Sequence, residues 1–168
     1  MLNPFAKAGS KKEKPRLLER ANLTQEVTHI IVCFQSMKDE IPSGKLLNYY
    51  LPFDIPFRGL GDMILKMDML YDNFNFPQAT RELRSFFPKK NAASDRPRYF
   101  KRFPDRQPEK GTRLTLLVDT RFRQNGSWQG TVYCPQLRST VNFISTLQFL
   151  KLADEAVQSV WGKDENQR

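Results

Sequence analysis

The chain has 168 residues, 39% of them apolar, and a net charge of +9. A chain of this length can bury a core, as one domain or two small ones, and no stretch approaches the roughly 18 uncharged apolar residues of a membrane span. The first residues, MLNPFAKAGSKKEKPRLLER, show no apolar h-region and no small-residue cleavage site, so a cytoplasmic protein is expected, with a flexible basic tail over residues 1–22.

The charge is unevenly placed. Residues 1–20 carry +4, 21–80 carry −3, 81–113 carry +7 and 114–168 carry +1. The two stretches that look folded are close to neutral, and the excess sits in the tail and one central segment. Localised charge of this kind predicts a surface for an anionic partner.

The first folded half is expected over residues 23–80. The β-branched and aromatic run VTHIIVCFQ (27–35) predicts a strand, KLLNYYL (45–51) a second, and Phe53–Phe57 a short third. A helix over 59–74 follows, with Leu60, Met63, Ile64, Met67 and Tyr71 at helical spacing. Gly59 and Gly61 form an isolated GxG before it, without the other glycines or the Lys-Ser/Thr of a phosphate loop, so they mark the start of a helix. Asp62, Asp68 and Asp72 are expected as solvent-facing helix acids. His29, the one histidine, alternates with Val27 and Ile31 and is expected as a structural strand residue.

The central segment, residues 81–113, interleaves eleven Lys or Arg with five aromatics and four prolines. The prolines exclude any long helix, and a connection of this length is either functional or disordered. Cations that neutralise phosphates beside rings that stack on unpaired bases suit nucleic acid. Lys89, Lys90, Arg96, Arg98, Tyr99, Phe100, Lys101, Arg102, Phe103 and Arg106 are therefore the candidate contacts for nucleic acid or another partner. The competing reading is a linker pinned to the domains by its rings and solvated by its charges.

The second half is expected over 114–162, before a short tail at 163–168. LTLLVDTRFRQ (114–124), WQGTVYC (128–134) and Ser139–Phe143 predict strands, and Leu147, Leu150, Ala153, Val157 and Trp161 a helix over 144–160. Asn125-Gly126 predicts a type I′ hairpin turn. Arg121 and Arg123 alternate with Phe122, which places both arginines on one face opposite the ring and adds them to the candidate contacts.

The halves resemble each other. With Gly44 aligned to Gly130, Leu51 meets Leu137, Phe57 meets Phe143 and Asp68 meets Asp154, while the strand ending at Phe34 matches the one ending at Phe122 with a two-residue difference in the turn. The expected fold class is α+β: two βββα-like repeats, with antiparallel sheet covered by one helix per half. Matched Asp68 and Asp154 are expected at equivalent caps or contacts.

Cys33 and Cys134 lack a CxxC partner or a histidine at ligand spacing, which predicts buried free thiols and no metal; a disulfide requires their strands to be neighbours. No nucleophile–base pair and no nucleotide loop is present, so neither an enzyme nor a cofactor is expected.

The strings PFRGLGDMILKMD, NFPQATRELRSFF and RFRQNGSWQGTVY resemble short proteins encoded by gut Clostridia and their plasmids and phages, over most of the chain after about residue 26, with FRQNGSWQGTV the most specific part. That family is similar to the group containing one class of anti-CRISPR proteins, inhibitors of the RNA-guided type II CRISPR nuclease. The resemblance implies a stoichiometric inhibitor from a mobile element that engages the nuclease, with or without DNA. One departure is Phe143-Ile144-Ser145, where the family's C-terminal helix begins with an FRS-type sequence. The leading expectation is thus a non-catalytic binder of a host nucleoprotein effector. Alternatives are a DNA- or RNA-binding accessory protein for plasmid or phage maintenance, and a protein-only adaptor. The sequence leaves the choice between monomer and dimer open.

Overall fold

A computed structural model describes residues 26–79, 86 and 101–165. The candidate contacts Lys89, Lys90, Arg96, Arg98, Tyr99 and Phe100, and the whole of the expected N-terminal tail, lie outside the described residues. The fold is α+β: one antiparallel six-stranded sheet and two helices. In chain order these are β1 (His29–Lys38), β2 (Ile41–Leu47), β3 (Ile55–Arg58), α1 (Leu60–Phe74), β4 (Leu114–Phe122), β5 (Gln129–Cys134), β6 (Ser139–Phe143) and α2 (Thr146–Glu165).

The strand order is β3-β2-β1-β4-β5-β6, so the two three-stranded halves meet at the antiparallel β1–β4 pair and form one continuous sheet. Both helices pack on one face. There α1 buries Met63, Met67, Leu70, Tyr71 and Phe74, and α2 buries Phe149, Ala153, Ala156 and Val157. Against them the sheet presents Ile30, Val32 and Phe34 from β1, Leu46 from β2, Leu114, Leu116 and Val118 from β4, and Val132 from β5. Alternation along an extended chain sends Ile31 and Cys33 to the opposite face, where they form a second small cluster with Leu47.

Two cross-sheet rows fix the register. Phe34 faces Gly44, which faces Phe57; Thr120 faces Gly130, which faces Phe143. The strand ending expected to match Phe34 was Phe122, but the rows set Thr120 in that place, with no length difference in the turn. A β-bulge follows each row, between Phe34 and Ser36 in β1 and between Thr120 and Phe122 in β4. Both glycines sit where a side chain has no room: a Cβ on Gly44 would lie 1.9 Å from the Cys33 carbonyl oxygen, and one on Gly130 would lie 2.0 Å from that of Asp119.

The turns after the bulges correspond as well. Asn125 and Gly126 both have positive φ, and Ser127 N donates to Gln124 O at 3.0 Å, as a type I′ turn requires. The β1–β2 turn uses Asp39 and Glu40, at φ of 52° and 60°. Left-handed backbone is unfavourable for a glutamate, and neither residue announces such a turn in sequence. Glu40→Gly is therefore expected to raise stability by about 1 kcal/mol, measured as an increase in urea midpoint at unchanged m value; a lower midpoint would show that Glu40 is held by contacts outweighing its strain.

The β2 boundaries also move. The strand was expected over 45–51 but ends at Leu47, because Asn48 turns its side chain inward. Its amide donates to the Val27 and His29 carbonyls at 3.1 and 2.9 Å, and its carbonyl accepts from Tyr50 N at 2.8 Å. Helix α2 begins at Thr146, where the Ser145 hydroxyl accepts from Gln148 N at 3.0 Å, a side-chain cap. Cys33 and Cys134 are free and buried. Strand β4 separates their strands, and Cys33 belongs to the cluster on one face while Cys134 belongs to the core on the other. Burial, with the nearby Asp54 and Glu109 carboxylates, pushes the Cys33 thiol up to about 11, so it stays protonated. No helix among the described residues is long and apolar enough to cross a membrane.

Candidate binding face

The face of the sheet away from the helices is treated differently in the two halves. Over β1 and β2 it is covered by residues 101–113, the C-terminal part of the central segment. Phe103 N donates to the Tyr49 carbonyl at 2.6 Å, and Arg113 N donates to that of Phe34 at 2.9 Å. Between these points Glu109 accepts from Lys45 Nζ at 2.7 and 2.8 Å and from Gln35 Nε2 at 3.2 Å, and Arg106 is paired with Asp54. Beneath the cover, Ile31, Cys33 and Leu47 are buried.

Strands β4, β5 and β6 have no such cover among the described residues. Register places Leu117, Tyr133 and Thr140 in one row continuous with Ile31, and Asp119, Thr131 and Asn142 in the next row, continuous with His29. Leu117 is 39% exposed, Tyr133 38% and Phe122 52%. The result is a mixed apolar and polar strip, bordered by the arm on one side and the β6 edge on the other.

Polar groups at the His29 end are ordered around one carboxylate. Thr28 Oγ1 donates to Asp119 Oδ1 at 2.8 Å, Arg121 Nε donates to Oδ2 at 3.1 Å, and His29 Nε2 stands 3.5 Å from Oδ1. His29 is half-exposed here, at the edge of the strip. Among the described residues no group of three or more His, Cys, Asp or Glu side chains is arranged to hold a metal ion.

The β4 bulge corrects the expected geometry of the RFRQ hairpin. Arg121 and Arg123 were expected to share a face opposite Phe122. The extra residue instead puts Arg121 and Phe122 on the uncovered face, Phe122 opposite Gln129, and turns Arg123 toward the helices. Arg123 is 5% exposed, with Nη2 donating to Asp68 at 2.7 Å and Asp72 at 2.8 Å and the guanidinium 5.6 Å from the Tyr71 ring centroid. Asp68 and Asp72, expected as solvent-facing, therefore hold an arginine, while Asp154 is exposed: the matched aspartates have different surroundings. Asp62 accepts from Lys66 at 2.8 Å and from Arg58 N at 2.9 Å, which depress its carboxyl below the usual range. Trp128 is buried, edge-on to Tyr71, with its ring N–H 3.3 Å from Asp68.

The described cations of the arm are partly engaged. Arg102 donates to Glu26 at 2.7 Å and lies 5.4 Å from the Tyr49 ring centroid; Arg106 is paired with Asp54 as above; Lys101 is exposed, 5.6 Å from the Phe103 ring. The Arg102 hydrogen bond holds the Glu26 carboxyl below its ordinary value, and burial together with Glu26 pushes the Tyr50 phenol up to about 12. The Arg102–Glu26 link therefore persists above the ordinary glutamate range and is lost as pH falls through the depressed value.

The structure brings Arg121 together with residues that sequence reasoning did not select: His29, Leu117, Asp119, Phe122, Thr131, Tyr133 and Asn142. In LTLLVDTRF the apolar residues occupy both faces, so alternation gave no sign that one of them is open. No protein-family model, curated protein or solved structure matches the chain.

Proposed function

We propose that the protein is a non-catalytic binding protein acting in the cytoplasm on a nucleoprotein, with nucleic acid as a direct contact. The observation that carries this reading is the Glu26–Arg102 pair. Glu26 is the first described residue after the basic N-terminal stretch, and Arg102 is next to the point where the basic central segment rejoins the described chain. The pair ties the roots of the two cationic segments together, at the His29 end of an uncovered sheet face. Positive charge beside an open face bearing rings is what a nucleic-acid partner requires.

The sharpest form of this reading is the one implied by resemblance, an anti-CRISPR inhibitor that occupies the type II nuclease and blocks cleavage sterically. An accessory protein of plasmid or phage DNA is the second form. We also propose that the halves arose by duplication, supported by their shared element order, the paired glycine rows and the paired bulges.

A mobility-shift titration against duplex DNA, single-stranded DNA and a guide-loaded type II nuclease, at two salt concentrations, tests the proposal. Shift of the loaded nuclease with loss of cleavage is the result expected of an inhibitor. Salt-sensitive binding to bare nucleic acid alone identifies the accessory protein. Absence of binding to all three would refute both and leave an adaptor that meets only protein.

A further inference from the structure

We infer that the uncovered face of β4, β5 and β6 is a stacking platform for the unpaired bases of single-stranded nucleic acid. The inference rests on the nucleic-acid reading above and names the site and the form of ligand. Its elements are two exposed rings on one sheet face. Leu117 faces Tyr133 and Phe122 faces Gln129, so the two rings project to the same side, separated by the four residues from Gln129 to Tyr133. That separation is about 13 Å along an extended strand, room for several bases at about 3.4 Å per stacked step.

Between and beside the rings lie groups that can pair with base edges: the Thr131 hydroxyl, the Asn142 amide and the half-exposed His29. Cations mark both ends. Arg121, its side chain 62% exposed and its Nε donating to Asp119 at 3.1 Å, stands beside Phe122, and exposed Arg138 lies in the turn that follows Tyr133. Aromatic rings on a flat sheet reach bases only where base faces are free, so the platform discriminates against duplex, whose base faces are already stacked.

Burial of the equivalent face in the first half explains why one platform exists rather than two. There, residues 101–113 lie over Ile31 and Leu47. The bulge gives the second half what the first lacks, a ring at the strand end: Phe122 pairs with Gln129, whereas the corresponding Ser36 pairs with Ser43 and their hydroxyls hydrogen-bond at 2.8 Å.

The test uses the full chain and a fluorescein-labelled 20-nucleotide single strand, beside a duplex of the same sequence. Phe122→Ala combined with Tyr133→Ala is expected to weaken single-strand binding at least tenfold while duplex binding changes less than twofold. Phe122→Trp with Tyr133→Phe keeps both rings and is expected to restore single-strand affinity, with circular dichroism reporting the fold of each variant. A folded double-alanine variant that binds the single strand as tightly as the parent overturns the platform. Equal losses on single strand and duplex overturn it too, since they indicate charge and not stacking. Residues 16–20, Arg-Leu-Leu-Glu-Arg, share the Arg-x-x-acid-Arg order of the covering residues 102–106. If the chain's own N-terminal segment occupies the face, deleting residues 1–25 raises amide exchange in β4 and β5, and that result overturns the platform as well. A parent chain that binds no nucleic acid at all defeats the broader proposal, and is thereby distinguished from failure of the platform alone.

Discussion

Gly130→Ala is expected to leave little or no folded protein. The new methyl would lie 2.0 Å from the Asp119 carbonyl oxygen and 3.0 Å from the Phe143 ring. The first neighbour is backbone, held in the β4–β5 ladder, and cannot swing aside as a side chain can. Relief requires the strands to part, and parting them removes the pairing of Thr120 with Gly130 and the packing of Phe143 against Phe149, whose ring centroids are 5.1 Å apart. A loss above about 4 kcal/mol is expected, at the far end of what single substitutions do. Gly44→Ala meets the Cys33 carbonyl at 1.9 Å and should behave alike. Gly61→Ala is the control: nothing lies within 4 Å of its Cβ, and its place in the first turn of α1 should give a stabilisation of about 0.5–1 kcal/mol. Urea denaturation followed by circular dichroism reads all three. A Gly130→Ala variant as stable as the parent would show that the bulge can shift to admit a methyl group, and the glycine rows would then not set the register.

Arg123→Ala is expected to cost about 3 kcal/mol, the order seen when one partner of a buried pair is removed. The guanidinium joins α1, which follows the first three strands, to β4, which begins the second three. Deleting it leaves Asp68, 28% exposed, facing the buried ring system of Tyr71 and Trp128 with one cation fewer. Asp72, 62% exposed, is rehydrated at little cost. A double-mutant cycle with Asp68→Asn should therefore return more coupling than one with Asp72→Asn. Equal and small couplings would mean that the guanidinium acts mainly by packing over Tyr71, at 5.6 Å from its ring centroid. Arg123 was selected in sequence as a partner contact because alternation set it beside Arg121 on one face opposite Phe122. Its burial follows from one bulge, which periodicity cannot announce.

Element types were legible along the chain because their cause is local. Spacing placed α1 by Met63, Met67 and Tyr71 and α2 by Ala153, Val157 and Trp161, although Leu147, read into the second stripe, is 61% exposed and Phe149 is buried in its stead, and β-branched runs placed β1 and β4. Asn125-Gly126 marked its turn because those residues tolerate positive φ. Asp39-Glu40 makes the equivalent turn without such a mark, since strand pairing on either side holds the backbone there.

The candidate site was less legible, and for a physical reason. Charge density drew attention to the arm, but whether a cation is available depends on which carboxylates are close in space. Glu26 and Asp54, remote in sequence, engage Arg102 and Arg106, and Asp68 and Asp72 engage Arg123. Exposure of Leu117, Phe122 and Tyr133 depends on which half of the sheet the arm lies across. By itself the sequence determined the α+β class, the helices and the Asn125-Gly126 turn, because propensity, periodicity and backbone sterics act within a few residues. Only the tertiary structure decided that six strands join in one sheet, that Arg123 turns inward and that the described arm lies across one half of the sheet and not the other, because strand order, ion pairing and coverage are relations between residues far apart in the chain.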